Sequence, residues 1–311
     1  MGWWTERAPQ LGAEVGILSL AVYNNKLYGG TTSLGKLYEW NDVNAWVQVA
    51  PQLGGETDID SLAVYNNKLY GGAYPDGRLY EWNGVNAWVQ VAPQLGAEGA
   101  IRALAVYNGK LYGGTGNLGK LYEWNDVNAW VQVADTLGTE TFILSLAVYN
   151  GKLYGGTGTN GKLYEWNDVD AWVQKAPTLG ESLIEALAVY NGKLYGGTGS
   201  SGKLYEWNDV NAWVEKAPTL GTEVHIRSLA VYNGKLYGGT GSGGRLYEWN
   251  DVNAWVEVAP LLAELQICSL AVYNNRLFGG TGFANGKLYE YISILAAVDM
   301  VGGLVFQGLP P

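Results

Sequence analysis

Apolar and polar positions along the chain follow one recurring pattern. The string Leu-Ala-Val-Tyr-Asn starts at Leu20, Leu62, Leu104, Leu146, Leu187, Leu229 and Leu270, in steps of 42, 42, 42, 41, 42 and 41. Within a period, apolar residues alternate in short runs separated by turn signals, which predicts strands rather than helices. In the second repeat the runs at 59–65, 68–71, 78–82 and 87–92 read as four strands, lettered A to D. Asn66-Asn67, and Asn108-Gly109 in the next repeat, predict a type I′ hairpin between A and B, whose central residues both need positive φ. Asn83-Gly84 reads as a similar turn between C and D. Helical repeats do not tolerate so many Gly-Gly pairs, whereas a propeller blade is built from short strands of this kind. The seven anchors predict an all-β, seven-bladed β-propeller with four-stranded blades.

The chain ends predict how the ring closes. Trp4 precedes Leu20 by 16 residues, as Trp46 precedes Leu62, so the N-terminal residues match a strand D without its own blade. The seventh repeat runs to Gly286-Lys-Leu-Tyr-Glu-Tyr291 and then reads Ile-Ser-Ile-Leu where Asn-Asp-Val-Asn-Ala-Trp is expected. Blade seven is therefore expected to be closed by the N-terminal strand, which removes an open β edge. Residues 1–295 are expected to form the propeller, and 296–311 a tail outside it, a linker or an appended remnant.

Composition narrows the partners. The 311 residues include 45 Gly and 14 Trp, charged residues are 15%, and the net charge is −10. Such a balance does not attract nucleic acid or anionic membrane. One Cys and one His supply neither a disulfide nor an imidazole cluster, so no metal or other cofactor is expected. MGWWTER carries no export or lipidation signal, and the longest apolar stretch, 292–306, is too short to span a bilayer. A cytoplasmic, monomeric ring is the expectation.

Gly71-Gly72 after strand B, an aromatic in strand C, a Trp opening strand D and Val-Ala-Pro after it resemble kelch repeats. The stretch 79–93, Leu-Tyr-Glu-Trp-Asn-Gly-Val-Asn-Ala-Trp-Val-Gln-Val-Ala-Pro, carries the likeness, which extends over about residues 4–291. The resemblance implies a propeller serving as scaffold, substrate receptor or, occasionally, enzyme; short blades, short loops and near-identical repeats depart from that family. The segment Gly-Lys-Leu-Tyr-x-Trp resembles tectonin- and tachylectin-like lectin propellers, which implies carbohydrate held at repeated, equivalent sites.

Several signals that look like chemistry have plainer readings. Gly114-Thr-Gly116-Asn-Leu-Gly119 spells a dinucleotide fingerprint, yet it joins two strands and reads as a tight turn. The pairs Trp40/Trp46, Trp82/Trp88, Trp124/Trp130, Trp166/Trp172, Trp207/Trp213 and Trp249/Trp255 recur once per blade and read as packing between blades. Glu14, Glu56, Glu98, Glu140, Glu181, Glu223 and Glu264 precede strand A in every repeat and read as acceptors of loop amides. His225 has no motif partner, no Gly-x-Ser-x-Gly elbow is present, and Cys268 sits in a variable slot, so no enzyme is expected.

Differences between near-identical repeats are the informative part. Ile17, Ile59, Ile101, Ile143, Ile184, Ile226 and Ile267 stand three before each anchor, while the residues beside them vary freely. That alternation marks a strand whose two sides face different surroundings. The stretch between B and C also varies, and in an antiparallel blade the D–A and B–C connections emerge on one face of the disc. A recognition surface is expected there, built from Leu18, Asp58, Asp60, Tyr74, Arg102, Phe142, Leu144, Glu185, His225, Arg227, Gln266 and Phe283. Its expected ligand is a protein or peptide, with carbohydrate as the alternative, and Ser at Arg102, Phe142 and Arg227 is expected to leave stability nearly unchanged.

Overall fold

The computed structural model describes residues 2–220, 223–262, 266–282 and 285–293. Among these it contains strands β1 to β28 and no helix. Blade 1 consists of Gly16–Tyr23, Lys26–Thr32, Leu37–Trp40 and Trp46–Ala50, and blade 2 of Asp58–Tyr65, Lys68–Tyr74, Leu79–Trp82 and Trp88–Ala92. Each antiparallel sheet runs A-B-C-D from the axis outward, and one bridge, Gly158 to Leu183, links blades 4 and 5 at their edges. The A strands touch one another in sequence all the way round, so they form the inner wall of the ring.

Turn chemistry fixes the blades. Asn66 and Asn67 have φ of 46° and 57°, as a type I′ turn requires. The C–D connection differs from expectation: at 83–87 only Gly84 has positive φ. Asn83 Oδ1 accepts the amides of Val85, Asn86 and Ala87 at 2.9, 3.0 and 3.1 Å, while the Asn83 amide donates to the Ala87 carbonyl at 3.0 Å. An asparagine side chain folds that loop by capping its amides, so a longer connection replaces the two-residue turn.

Adjacent blades meet through one repeated wedge. A Cβ on Gly30 would lie 2.7 Å from Ile59 Cγ2 of the next blade, and one on Gly72 would lie 2.6 Å from Ile101 Cγ2. Both isoleucines are fully buried. The hydroxyls of Ser19 and Ser61 donate to the carbonyls of those same isoleucines at 3.0 Å. The Tyr65 hydroxyl reaches the turn carbonyl of Gly109 in the following blade at 3.1 Å. The tryptophan pairs are edge-to-face contacts across strands C and D of one blade, such as Trp40 and Trp46 at 6.3 Å. Trp40 then joins the core shared with Tyr273 and Phe278 of blade 7, so each pair serves packing within a blade as well as between blades.

The ring closes twice over. Trp3–Ala8 adds the fourth strand to blade 7, with Trp4 opposite Tyr291 and Thr5 opposite Glu290. Ser269 Oγ also donates to the Ile17 carbonyl at 3.2 Å and the Tyr273 hydroxyl to Asn25 O at 3.0 Å, repeating between blades 7 and 1 the contacts made elsewhere. The proposed tail at 296–311 lies outside the described residues.

Two outcomes are expected. Gly72→Ala forces a methyl onto Ile101 and should cost about 1–3 kcal/mol by overpacking, read from urea or thermal denaturation; an unchanged midpoint would mean the blades are not in that contact. Removing residues 1–10 strips Trp4 from the blade 7 core and opens its edge, and should lower the melting temperature by roughly 5 °C or more with aggregation. An unaltered melt of the shortened chain contradicts N-terminal closure.

Candidate functional site: the channel mouth

The site originates in a break in the A–B ladder. Ile17 pairs with Thr31 and Ser19 with Gly30, so Leu18 between them faces no partner. The same register shift brackets Asp60, Arg102, Leu144, Glu185, Arg227 and Cys268 in the other blades. Such β-bulges leave one residue outside the ladder and re-aim its side chain. Here the residues on either side are committed to the wedge between blades. The bulge residue is left to the axis, and all seven line one open depression of 550 Å³ with Thr32, Asp58 and Tyr74.

Walking round the ring, the seven side chains read Leu18, Asp60, Arg102, Leu144, Glu185, Arg227 and Cys268. Arg102 Nη1 donates to Asp60 Oδ2 at 2.9 Å, and the guanidinium carbon, Cζ, sits 5.3 Å from the centre of the Tyr74 ring. Opposite them, Glu185 Oε1 lies 3.0 Å from His225 Nδ1 and accepts from Arg227 Nη1 at 3.2 Å. The Asp60 and Glu185 side chains are each 5% exposed, whereas Arg102 and Arg227 are about a third exposed, at 33% and 31%. Each guanidinium is held from below by a buried carboxylate and turns its outer edge to the mouth. Asp58 Oδ1 accepts from the Thr32 hydroxyl and, at 3.2 Å, from the Ser33 amide. Leu18 and Leu144 separate the two charged clusters.

Burial governs the titration of these groups. Desolvation pushes Asp60 from its ordinary 3.8 up to about 7, against the opposing pull of Arg102. Burial also pushes the Cys268 thiol up to about 12, which keeps it protonated and poorly nucleophilic.

Eight of the twelve residues expected from the sequence line the depression: Leu18, Asp58, Asp60, Tyr74, Arg102, Leu144, Glu185 and Arg227. Phe142, His225 and Gln266 sit beside its lining. Phe142 lies over Gly116 and Gly158, His225 joins Glu185, and Gln266 approaches the Cys268 thiol at 3.9 Å. Phe283 lies outside the described residues. Thr32 and Cys268 were missing from the expected set. Thr32 occupies the strand B position that holds Tyr74 in blade 2 and Gly in the five later blades, and that disparity is a signal in the sequence.

Of the glutamates before strand A, Glu56, Glu98, Glu140 and Glu223 accept loop amides, whereas Glu14 and Glu181 meet Lys36 and Lys203, at 3.3 and 3.5 Å. Glu56 Oε2 accepts from the Asp76 amide at 3.1 Å and Glu223 Oε2 from Ser242 and Gly243 at 3.1 and 3.2 Å, while Arg78 and Arg245 pair with the other oxygens at 3.2 and 2.7 Å. The four acceptors fasten their D–A loops to the B–C loops on the same face as the mouth; Glu264 lies outside the described residues. Burial raises Glu56 and Glu98 above the usual carboxylate range.

No protein-family model matches the chain, and no curated protein matches it. Solved structures similar to it include virginiamycin B lyase from Staphylococcus aureus, in a catalytically inactive form with quinupristin, at 10% identity and a TM-score of 0.80 over 94% of this chain and 100% of the lyase. The WD40 β-propeller domain of Doa1 aligns at 12% identity and 0.71 over 94% and 97%, and YCF48 bound to D1 peptide at 16% and 0.65 over 93% and 97%. These likenesses establish the propeller fold, without singling out the kelch type. They also correct the expectation that the chain is no enzyme. A lyase has this ring over its whole length, so the missing serine elbow and histidine cluster do not exclude catalysis on such a scaffold.

Asp60 makes stability depend on pH with a defined sign. Its native pKa lies above its unfolded value, so its contribution is complete below about pH 4 and is lost as pH rises through about 7. The unfolding free energy, read from denaturation, should therefore fall less between pH 5 and 8 in Asp60→Asn than in the parent, by at most about 1.4 kcal/mol per pH unit. Glu56 and Glu98 act in the same direction, so the slope diminishes without vanishing. Identical slopes in parent and variant would show that Asp60 is not so buried.

Proposed function

We propose that the chain is a binding propeller that engages a protein or peptide segment at the channel mouth, on the face carrying the D–A and B–C loops. One observation carries the reading. In a ring whose packing residues repeat from blade to blade, the seven bulge positions hold five residue types and converge on a single depression. Folding asks for the same residue in each blade, so this diversity serves something other than the ring. Two guanidiniums pre-positioned by buried acids, flanked by Leu18, Leu144 and an aromatic ring, form the mixed polar and apolar surface that anchors polypeptide ligands. The kelch-like resemblance and the peptide-bound state of YCF48 support the same reading.

The structure changes which variant tests it. Serine at Arg102 or Arg227 removes the guanidinium paired with the buried Asp60 or Glu185 carboxylate, so these two substitutions should cost stability rather than leave it nearly unchanged. Removing both partners together avoids that cost. The full chain with Asp60→Asn, Arg102→Gln, Glu185→Gln and Arg227→Gln should retain a cooperative melt. It should lose captured partners in pull-down with at least a tenfold drop in affinity, about 1.4 kcal/mol, at a stoichiometry of one. Normal binding by this variant, or seven equivalent sites for a glycan, would refute the reading.

A further inference from the structure

The opposite face breaks its own symmetry at two places: blade 2 carries Gly84 where the other C–D loops carry an aspartate, with Lys68 paired to Glu81 instead, and blade 7 has no C–D loop. In blades 1 and 3 to 6 the C–D loop carries an aspartate at positive φ, 61° to 65°, and in blades 3 to 6 its carboxylate has a fixed tyrosine partner. The tyrosine ending strand A of the preceding blade donates to it: Tyr65 to Asp126 at 3.1 Å, Tyr107 to Asp168 at 2.7 Å, Tyr149 to Asp209 at 2.7 Å and Tyr190 to Asp251 at 2.8 Å. In blades 4 to 6 the lysine opening strand B of its own blade also grips it, with Lys152, Lys193 and Lys235 at 2.6, 2.6 and 2.5 Å. Each such aspartate is clamped between a phenol and a cation.

Blade 7 has the clamp without the aspartate. Its strand C ends at Ile292 and its strand D comes from the N-terminus, so no C–D loop joins them. Tyr232 stands where the phenol stands elsewhere, and among the described residues its hydroxyl makes no hydrogen bond. Arg276 replaces the lysine, is 58% exposed, and lies 3.6 Å from Glu290, whose carboxylate is already held by Arg7 at 2.6 Å. These residues line an open cavity of 340 Å³ with Asn274, Asn275, Tyr291 and Ile292. Two guanidiniums against one carboxylate leave a local positive excess on a chain of net charge −10.

We propose that this cavity binds an aspartate side chain presented on a tight turn of a partner polypeptide, reproducing the contacts that the chain makes to its own loops. The carboxylate takes the Tyr232 hydroxyl and the Arg276 guanidinium, and the turn lies over Asn274 and Asn275. A second copy of this chain is poorly suited, because its loop aspartates in blades 4 to 6 are already clamped, Asp126 of blade 3 is held by Tyr65, and Asp42 of blade 1 has Lys26 at 4.0 Å. The site lies on the face opposite the channel mouth and shares no residue with it, so neither reading depends on the other.

The probe is a cyclised, fluorescein-labelled peptide, Glu-Trp-Asn-Asp-Val-Asn-Ala-Trp, which is the sequence at 248–255. Titrated against the full chain, it should bind saturably at one site. Changing its aspartate to asparagine should weaken binding at least tenfold, as should Arg276→Ala or Tyr232→Phe in the protein, both with an unchanged melt. Equal binding of the aspartate and asparagine peptides, or no saturation at millimolar peptide, overturns the proposal. Sedimentation showing self-association of the chain that Arg276→Ala abolishes would assign the cavity to a second copy and likewise overturn it.

Discussion

The ring depends on the closeness with which an isoleucine of one blade approaches the second glycine of the blade before it. At 2.6–2.7 Å from where a Cβ would stand, the contact leaves no room for any side chain on Gly30 or Gly72. It brings the backbones near enough for a serine hydroxyl to reach the isoleucine carbonyl, which the bulge beside it has released from the A–B ladder. Burial, close approach and hydrogen bonding at this point are one arrangement. Where Ala103 and Ala186 replace the serine, the wedge persists, with Gly114 against Ile143 and Gly197 against Ile226, so sterics carry more of the arrangement than the hydroxyl does.

The same constraint creates the channel mouth. Because the isoleucine and the residue two after it are both held by the neighbouring blade, the residue between them cannot enter the interface and turns to the axis. It is therefore free of the ring's packing demands, and evolution of that slot costs the fold little so long as charges are paired. Pairing is what the structure shows: an acid in one blade meets an arginine in the next at two separate places. Buried carboxylates beneath guanidiniums that are about a third exposed fix the cations in position before any ligand arrives, which lowers the ordering cost of binding.

Much of this was legible because the repeat is strict. The anchors gave the blade count, Asn66-Asn67 the A–B turn, and the matched offsets of Trp4 and Trp46 the closing strand. The bulge was not legible, since fixed and free residues alternate in the same way whether a strand is regular or has one residue lifted out. The ion pairs could have been found: Asp60 and Arg102 are one period of 42 apart, and residues one period apart are neighbours around a ring. Their energetic consequence could not, because the sequence does not reveal that the carboxylates are buried beneath the arginines. The C–D loop misled for a local reason, as Asn83 folds it through its side chain while the Asn-Gly pair imitates a two-residue turn.

The two faces lose sevenfold symmetry by different routes. On the D–A and B–C face the backbone stays regular and the side chains diverge. On the other face the side chains are nearly regular, with Gly84 in place of the loop aspartate in blade 2, and the backbone diverges, because closing the ring with an N-terminal strand removes the C–D loop of blade 7. The closing strand stabilises the ring through Trp4 and its pairing with Leu288–Ile292, and it leaves Tyr232 and Arg276 without the loop aspartate that their counterparts hold. A ring closed instead by a final strand C to strand D hairpin would have filled that place and kept an unpaired N-terminus. The cavity is thus a geometric consequence of how the chain shuts its own edge, which places it at the seam.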